Sequence, residues 1–280
     1  MERIKTILLM VGLMFLFMYI GDLVAGETGK VVAFLIACVI NFFGYFFSDK
    51  IVLKRYNAKE ANVITAPVLH KVVKRLALKA DLPMPKVYVI PDEIPNAFAT
   101  GRNPNNAAVA ATQGLLDMMN EEEIEGVMAH EMTHVKNYDI LTGTIAATLV
   151  GAINILSRSA GRRNSGRNVN VAGRATAFAV VLVPLAAVLI RFLISRTREY
   201  AADEGAARLT KHPEWLISAL QKLEKSSAKG VIKKATPQTA HMFIINPFGM
   251  LKSNFSSLFS THPTTKNRIE RLEKLKHTLR

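Results

Sequence analysis

The sequence predicts an α+β membrane protein that is mainly α-helical, with a small β-sheet beside one strongly capped helix. Hydrophobic residues make up 50% of the 280 residues although 21% are charged. They are gathered into four blocks with the length and character of apolar transmembrane-type helices. The polar region between the second and third blocks contains a helical stretch around Val63–Lys79 and two strand-like segments, residues 85–90 and 107–112, linked by a segment rich in turn residues. It also contains a helix with clear start signals.

The first two apolar blocks, residues 4–25 and 30–47, predict an N-terminal membrane hairpin. At about 1.5 Å per residue, each block crosses or nearly crosses the roughly 30 Å of bilayer hydrocarbon. Arg3 and Lys5 precede the apolar core of the first block, as cations precede the apolar region of a signal peptide, but the block is long for such a region and the second block follows closely. We therefore interpret the first block as an uncleaved signal anchor.

The third and fourth blocks leave two alternatives open. Residues 140–157 are apolar but rich in Gly, Ala and Thr, and residues 175–195 are more hydrophobic but contain Pro184 and Arg191. Either both blocks span the membrane, or they are buried or membrane-skimming helices. The blocks divide the chain into a hairpin (1–47), a polar region (48–139), a second apolar pair with an arginine-rich loop (140–195) and a mainly helical C-terminal region (196–280).

The net charge of +14 raises the question of a nucleic-acid partner, and the distribution of the charge argues against one. Residues 48–139 are nearly neutral, whereas the excess of Lys and Arg lies in the loop 158–174 and in the C-terminal third. No aromatic RNA-binding motif accompanies these cations, and basic segments beside apolar blocks suit an anionic membrane surface. The only cysteine, Cys38, excludes a disulfide within the chain and a cysteine-based zinc site.

The polar region contains a helix that we predict over Glu121–Lys136. Asn120 is a favourable N-cap, Glu123 stands at the capping-box position, and the acidic first turn complements the positive end of the helix dipole. Within this helix lies HEMTH, with His130 and His134 four residues apart. Residues at this spacing share one helix face, so both imidazoles can reach a single ion.

Glu131, between the two histidines, is the predicted catalytic residue of this helix. It lies about 100° round the helix from His130, where its carboxylate can contact a metal-bound water without binding the metal. A catalytic zinc commonly takes three protein ligands and leaves one position for water. We therefore expect one Zn²⁺ per chain and a third ligand elsewhere in the sequence.

The candidate for the third ligand is Glu199 in SRTREYAADE, which follows the fourth apolar block. Asp203 lies one turn further on the same helix face, where it can accept the outer N–H of a ligating histidine and fix its tautomer. The alternative is that both are solvated helix charges, which would be the better interpretation without HEMTH. Because HEMTH and Glu199 each lie next to an apolar block, the metal site is expected close to the bilayer surface.

Four motifs in order along essentially the whole chain, PNAFATG, HEMTH, SRTREYAAD and STHP, resemble the HtpX family of bacterial heat-shock membrane proteases. That family is related to the CAAX prenyl proteases and to the mitochondrial inner-membrane protease Oma. The resemblance implies a gluzincin-like active-site helix and a zinc-dependent endopeptidase that hydrolyses peptide bonds of misfolded membrane proteins. It also implies a role in membrane-protein quality control at the bacterial cytoplasmic membrane.

The resemblance also implies site residues that spacing does not show. Asn96, Ala97 and Phe98 in PNAFATG are expected to bind substrate, with Asn96 on an edge strand beside the zinc; on its own, Asn96 would be interpreted as a turn residue. His262 in STHP is expected to help bind the developing oxyanion; on its own, it indicates a helix start. Arg268 stands in the family's position after the HP pair, and the sequence assigns it no role.

The chain departs from the family pattern at Thr264, where the family often has a second proline after HP. Orientation follows from Arg3 and Lys5, which favour an N-terminus inside the cell. Two crossings by each apolar pair would then keep residues 48–139 and 196–280 on the cytoplasmic side, with the active site facing the cytoplasm. The five arginines of the loop 158–174 oppose this arrangement, because it places them outside.

The expected partners are the lipid bilayer and membrane-protein or unfolded polypeptide substrates, without nucleic acid, and the oligomeric state is left open. The alternative function is a non-proteolytic membrane scaffold with a structural zinc site. Such a scaffold would retain the apolar blocks and the two histidines but would need neither Glu131 nor Asn96. The joint presence of these two residues favours the protease.

Overall fold

The computed structural model describes residues 2–141, 144–145, 196–227, 244 and 263–279. The loop 158–174, the fourth apolar block and His262 lie outside these residues, as does most of the third block. The described helices are α1 (Glu2–Arg55), α2 (Pro67–Ala80), α3 (Gln113–Met118), α4 (Glu121–Lys136), α5 (Arg196–Thr210), α6 (Pro213–Ser227) and α7 (Thr265–Thr278). The described strands are β1 (Lys59–Glu60), β2 (Lys86–Ile90), β3 (Ala97–Gly101) and β4 (Ala107–Thr112).

The N-terminal hairpin is formed by α1, whose backbone leaves the helical conformation at Ala25 and Gly26. Gly26 has a φ of 60°, a left-handed value that glycine adopts without steric cost. Thr6–Leu23 and Ala25–Arg55, with mean hydropathies of 2.1 and 2.2, are long and apolar enough to cross a membrane. The first two predicted blocks are therefore apolar helices, as expected.

The two arms of the hairpin pack against each other and against the start of the third apolar block. Leu13 and Phe17 of the first arm share one buried cluster with Ala37 of the second, and Leu141 and Ile145 pack into the same cluster. Leu13 and Phe17 lie near the middle of the first apolar stretch. The residues that follow α4 therefore pack against the middle of the first arm of the hairpin.

The four strands form one mixed sheet in the order β1-β2-β4-β3. β1 pairs antiparallel with β2, β2 pairs parallel with β4, and β3 pairs antiparallel with β4. The predicted strand segments 85–90 and 107–112 correspond to β2 and β4. Among the described strands, β3 pairs with β4 alone and so lies at one edge of this sheet.

Two local predictions from the residue pattern were wrong. The stretch between β2 and β4 is rich in turn residues, yet it contains β3, because pairing with the fully buried β4 outweighs the local preference. Helix α2 begins at Pro67, later than the predicted start at Val63. The reason is that Asn62 Oδ1 accepts hydrogen bonds from the backbone N–H groups of Ile64 and Thr65, which makes a turn there.

The sheet lies between the end of the hairpin and α4. Alternate residues of β4 point to opposite faces. Ala108 and Ala110 pack against the last turns of α1, in a cluster that contains Tyr56. Val109 and Ala111 pack on the other face, in the main core with residues of α2 and α4.

Helix α4 is enclosed by the C-terminal helices, and two glycines allow their close approach. A Cβ atom at Gly126 of α4 would lie 2.7 Å from the backbone nitrogen of Leu216 in α6. A Cβ atom at Gly205 of α5 would lie 2.7 Å from Oγ1 of Thr133 in α4. Because real Cβ atoms do not come so near, any side chain at either position would push a helix away from α4. The close packing of α5 brings Glu199 to the histidines.

Candidate metal centre

The helix that carries HEMTH is fixed at its start by side chains. Asn120 Oδ1 accepts from the backbone N–H of Glu123 at 2.8 Å, and Glu123 Oε2 accepts from the backbone N–H of Asn120 at 3.0 Å. This is the predicted capping box, and the helix has the predicted bounds, Glu121–Lys136. With the start fixed, the helical repeat places His130 and His134 on one face.

Three side chains meet as a triangle of ligand atoms. His130 Nε2 lies 3.2 Å from His134 Nε2 and 3.7 Å from Glu199 Oε2. His134 Nε2 lies 3.6 Å from Glu199 Oε1. A tetrahedral zinc ion with bonds of about 2.0–2.1 Å holds its ligand atoms about 3.3 Å apart. The triangle formed by His130, His134 and Glu199 thus has the dimensions of a site for one such ion.

The outer nitrogens of both histidines face carboxylates. His130 Nδ1 lies 3.0 Å from Asp203 Oδ1, and His134 Nδ1 lies 2.9 Å from Asp139 Oδ2. A carboxylate accepts a hydrogen bond, so each Nδ1 carries the proton and each Nε2 presents its lone pair. Two lone pairs and the Glu199 carboxylate therefore converge on one point, where a cation satisfies them. The donor set fits a metal ion.

The electrostatic surroundings of the histidines also favour a positive charge there. Burial opposes protonation of His134, but the hydrogen bond with Asp139 and the charges of Glu199 and Glu131 outweigh it and raise its pKa to about 9. For His130, burial lowers the pKa, and the Arg268 charge acts in the same direction.

Asp139 is a site residue that the sequence analysis missed. It follows the end of α4, after Tyr138, whose φ of 64° is left-handed. That turn brings the Asp139 carboxylate back to His134, and Arg198 Nη1 lies 3.8 Å from Asp139 Oδ1. His134 and Asp139 are five residues apart across a helix end, a spacing that matches no helical or strand repeat. Only a search for a carboxylate that binds the Nδ1 of the second histidine could have found Asp139.

Arg268 is the second unassigned residue that the structure brings to the site. It is 1% exposed, and it donates from Nε to Asp203 Oδ2 at 2.8 Å and from Nη2 to Asp203 Oδ1 at 2.6 Å. Such paired, charge-assisted hydrogen bonds are strong and directional. Burial disfavours the Asp203 carboxylate, but the Arg268 charge outweighs this and holds its pKa below the ordinary value.

Glu131 lies beside the metal triangle and against the sheet. It is 6% exposed, and its Oε2 accepts a hydrogen bond from the backbone N–H of Ala99 at 2.8 Å. Burial raises the pKa of Glu131 to about 7, with His134 opposing and Glu199 adding to the rise. A carboxyl group with a pKa near neutrality is suited to both taking and giving a proton at physiological pH.

The PNAFATG residues include β3, whose Ala99 contacts Glu131 beside the triangle. Asn96 immediately precedes β3, and its backbone pairs with Thr112 through an N–H to Oγ1 bond of 2.8 Å and a carbonyl that accepts from the Thr112 N–H at 2.9 Å. Antiparallel pairing alternates, so Ala97 and Ala99 direct their backbone groups away from β4. The Phe98 side chain is 2% exposed and packs against Tyr56. His262 lies outside the described residues.

Comparison with known proteins gives similarity along nearly the whole chain. Residues 64–276 match Peptidase family M48. A protease HtpX homolog of Campylobacter hominis is 54% identical over 100% of both chains, and one of Campylobacter curvus is 56% identical over 98% of both. A protease HtpX homolog of Thermococcus sibiricus is 48% identical over 97% of this chain and 95% of its own.

A solved structure supports the fold. The crystal structure of S. mikatae Ste24p superposes with a TM-score of 0.56 at 20% identity, and the likeness covers 97% of this chain. It covers 65% of the S. mikatae chain, so this chain spans less than two thirds of that protein. At this identity the likeness extends to the fold, a mainly helical protein with a small mixed sheet.

Proposed function

This chain belongs to peptidase family M48, and on that premise we propose that it is a zinc endopeptidase that cleaves misfolded membrane proteins. Membership makes it a metalloprotease, and its HtpX relatives together with the two apolar stretches of α1 make it a membrane protease. The observation that carries the finer proposal is the triangle of His130, His134 and Glu199 with separations of 3.2–3.7 Å.

Zinc is the metal that we propose for this triangle, one ion per chain. Two imidazoles and one carboxylate form the ligand set of known catalytic zinc sites, and they leave a fourth position open. Zinc bound there would supply the Lewis acidity that polarises the scissile carbonyl and activates water. Asp203 and Asp139 would orient the two histidines from behind, through the Nδ1 contacts of 3.0 and 2.9 Å.

Glu131 is the proposed general base and acid. It would take a proton from the attacking water as the bond from oxygen to the carbonyl carbon forms, and give that proton to the amine nitrogen as the C–N bond breaks. Its raised pKa, about 7, supports both transfers. His262, on the family resemblance alone, would help bind the developing oxyanion.

The edge of β3 that faces away from β4 is the proposed binding site for an extended substrate. A peptide laid along it would pair with the outward backbone groups of Ala97 and with the Ala99 carbonyl, as strands are added to other exposed edges. Asn96 would contact the substrate backbone at the start of this edge. Phe98 would contribute by packing, since its side chain is buried against Tyr56.

Membrane-protein substrates are supported by the position of β3 beside the hairpin. The guanidinium of Arg102, directly after β3, lies 5.4 Å from the ring centre of Phe46 in α1. Phe46 lies at the end of the second predicted membrane block. A chain leaving the bilayer there would reach β3 without crossing the rest of the protein, so we propose a role in membrane-protein quality control.

The proposed topology has four crossings in the bacterial cytoplasmic membrane and both catalytic parts, 48–139 and 196–280, in the cytoplasm. Packing of Leu141 and Ile145 into the hairpin supports a third block inside the bilayer. Since α4 and α5 share one metal triangle, residues 140–195 must cross an even number of times. Cysteines placed singly at positions 57, 165 and 229, after Cys38 is replaced, test this. Labelling of 165 from outside the cell supports two spans, and labelling of 57 and 229 from opposite sides contradicts the proposal.

The test of the proposed function compares the wild-type chain with Glu131→Gln, both purified in detergent with zinc. The substrate is fluorescein-labelled α-lactalbumin that has been reduced and alkylated, so that it stays unfolded. We expect wild-type cleavage and none by Glu131→Gln, although both chains hold equal zinc, because Glu131 moves protons and does not bind the metal. Equal zinc without cleavage by either chain would support the alternative, a membrane scaffold with a structural zinc site.

A further inference from the structure

The guanidinium of Arg268 contacts two buried places: the Asp203 and His130 side chains, with Nη2 3.4 Å from His130 Nδ1, and the backbone of Ile244. Its Nε and Nη2 donate to Asp203, the carboxylate behind His130. Its Nη1 donates to the backbone carbonyl of Ile244 at 2.7 Å. Ile244 is 2% exposed. The planar fork of an arginine can hold partners on two of its sides at once, which a lysine ammonium cannot do with the same geometry.

The backbone of Ile244 continues this chain of hydrogen bonds to Asn96, which precedes β3. While the Ile244 carbonyl accepts from Arg268, its backbone N–H donates to Asn96 Oδ1 at 3.4 Å. Asn96 is 5% exposed. Because Oδ1 is directed at Ile244, Nδ2 takes the other position on Cγ in the same amide plane, and this fixes the direction of its N–H donors.

We propose that Arg268 is a positioning residue that couples the metal ligand His130 to the substrate-binding residue Asn96. One side of its guanidinium holds Asp203 against His130, and the other side holds the backbone of Ile244, whose N–H sets the orientation of the Asn96 amide. This inference rests on the proposed function, because it assigns Asn96 to substrate and His130 to zinc. It explains why a fully buried cation comes from α7, which contributes no metal ligand.

The coupling predicts different losses in two variants. Arg268→Met removes the hydrogen bonds to Asp203 and to the Ile244 carbonyl. Zinc affinity should then fall about 10–100-fold, as it does when the outer partner of a metal-bound histidine is lost. Arg268→Lys keeps a cation beside Asp203 but leaves the Ile244 carbonyl without its donor. Zinc affinity should then change little, while polypeptide affinity falls about tenfold, the effect of one unmade buried hydrogen bond.

Both affinities are measured in chains that also carry Glu131→Gln, so that nothing is cleaved. Zinc affinity comes from competition with a fluorescent chelator, and polypeptide affinity from the anisotropy of fluorescein-labelled, reduced and alkylated α-lactalbumin. Arg271→Met is the matched control, since Arg271 lies one turn away on α7 with its guanidinium 4.1 Å from the ring centre of Tyr200. It should bind zinc and polypeptide as the parent does.

A double-mutant cycle tests whether Arg268 acts through Asn96. Asn96→Ala alone should weaken polypeptide binding, and adding Arg268→Lys should weaken it no further, since the chain of hydrogen bonds is already broken. Additive losses would overturn the coupling, as would wild-type polypeptide affinity in Arg268→Lys or wild-type zinc affinity in Arg268→Met. If Arg268→Met does not fold, Arg268→Lys and the double-mutant cycle still show whether Arg268 acts on polypeptide binding through Asn96.

The failure of the coupling is distinguishable from the failure of the proposed function. A parent chain that binds no zinc would overturn both the protease proposal and this inference. A parent that binds zinc and polypeptide, and that cleaves when Glu131 is restored, supports the protease. In that case unchanged binding by the Arg268 variants would overturn only the coupling.

Discussion

The carboxylate of Glu131 accepts a hydrogen bond from the backbone N–H of Ala99, with 2.8 Å between Oε2 and the nitrogen. Glu131 belongs to the helix that holds both histidines, and Ala99 belongs to the edge strand on which we propose that substrate binds. The proposed base and the proposed substrate strand therefore touch directly. A substrate pairing along β3 would lie within reach of Glu131 without rearrangement of either element.

The contact predicts a strong effect of side-chain length at position 131. Glu131→Asp keeps the charge but withdraws the carboxylate by one methylene, away from Ala99 and from the attacking water. Because a displacement of about 1 Å in a reacting group costs about 100-fold, kcat should fall by roughly that factor with zinc content unchanged. The measurement is turnover of the labelled α-lactalbumin at saturating concentration. A kcat close to the wild-type value would mean that Glu131 does not handle the proton.

Asp139 should support metal binding through His134. In Asp139→Ala the Nδ1 of His134 loses its acceptor, so the ring is no longer held in the tautomer that presents Nε2 to the metal. We expect zinc affinity to fall about 10–100-fold, measured by chelator competition. The control is Asp117→Ala, because Asp117 is an exposed residue that accepts from Gln113 Nε2 at 2.7 Å. Equal zinc affinity in the two variants would remove Asp139 from the site.

The approach of α5 to α4 should depend on Gly205. In Gly205→Ala the new methyl group would overlap the Thr133 side chain, so α5 would move away from α4 and carry Glu199 with it. Overpacking of this kind destabilises a protein by about 1–3 kcal/mol, and zinc affinity should fall as well. Gly12→Ala is the control, since nothing lies within 4 Å of a Cβ atom there.

Thr133→Ala should restore part of the stability that Gly205→Ala removes, because it takes away the Cγ2 and Oγ1 atoms that the new methyl group would meet. Thermal unfolding of the single and double variants measures this. A double variant no more stable than Gly205→Ala would show that the overlap is not the cause.

Glu123 should contribute to the acid sensitivity of the fold. Its Oε2 lies 2.6 Å from Lys222 Nζ, and its Oε1 accepts from Ser218 Oγ at 2.7 Å. Burial alone would raise the pKa of Glu123, but these hydrogen bonds hold it below the ordinary value. The contribution is therefore fully present above the unfolded value of about 4.3 and is lost as the pH falls through the lowered folded value.

Glu123→Gln should thus be less stable than wild type by about 1–2 kcal/mol at pH 7, and its melting temperature should fall less steeply as the pH drops below about 4.3. Melting temperatures from pH 7 down to pH 3 give the comparison. Glu122→Gln, at an exposed position in the same turn, should retain the wild-type dependence. Parallel melting curves for Glu123→Gln and wild type would contradict the assignment.

The parts of the site that were predictable from the sequence are those written in local patterns. Asn120 and Glu123 define the start of α4, and the spacing of His130 and His134 follows from the helical repeat. Glu199 needed a further premise, that two histidines require a third ligand. The three proposed ligands, His130, His134 and Glu199, lie together in the structure.

The remaining parts depend on contacts that no local pattern encodes. Strand β3 lies within a segment whose flanks are rich in turn residues, and its pairing with β4 makes it a strand. Asp139 reaches His134 through a left-handed turn at Tyr138. Arg268 meets Asp203 across 65 residues of sequence, which only the packing of α7 on α5 determines.

The most direct test of the metal centre is zinc-edge X-ray absorption on the chain loaded with zinc. We predict one zinc per chain, bound by two imidazole nitrogens at about 2.0–2.1 Å and a carboxylate oxygen at about 2.0–2.2 Å. Glu199→Ala should lose the carboxylate oxygen and most of the zinc. Glu204→Ala is the control and should keep both, because Glu204 is paired with Arg208 at 2.7 Å. Full zinc with an unchanged set of ligands in Glu199→Ala would contradict the proposed centre.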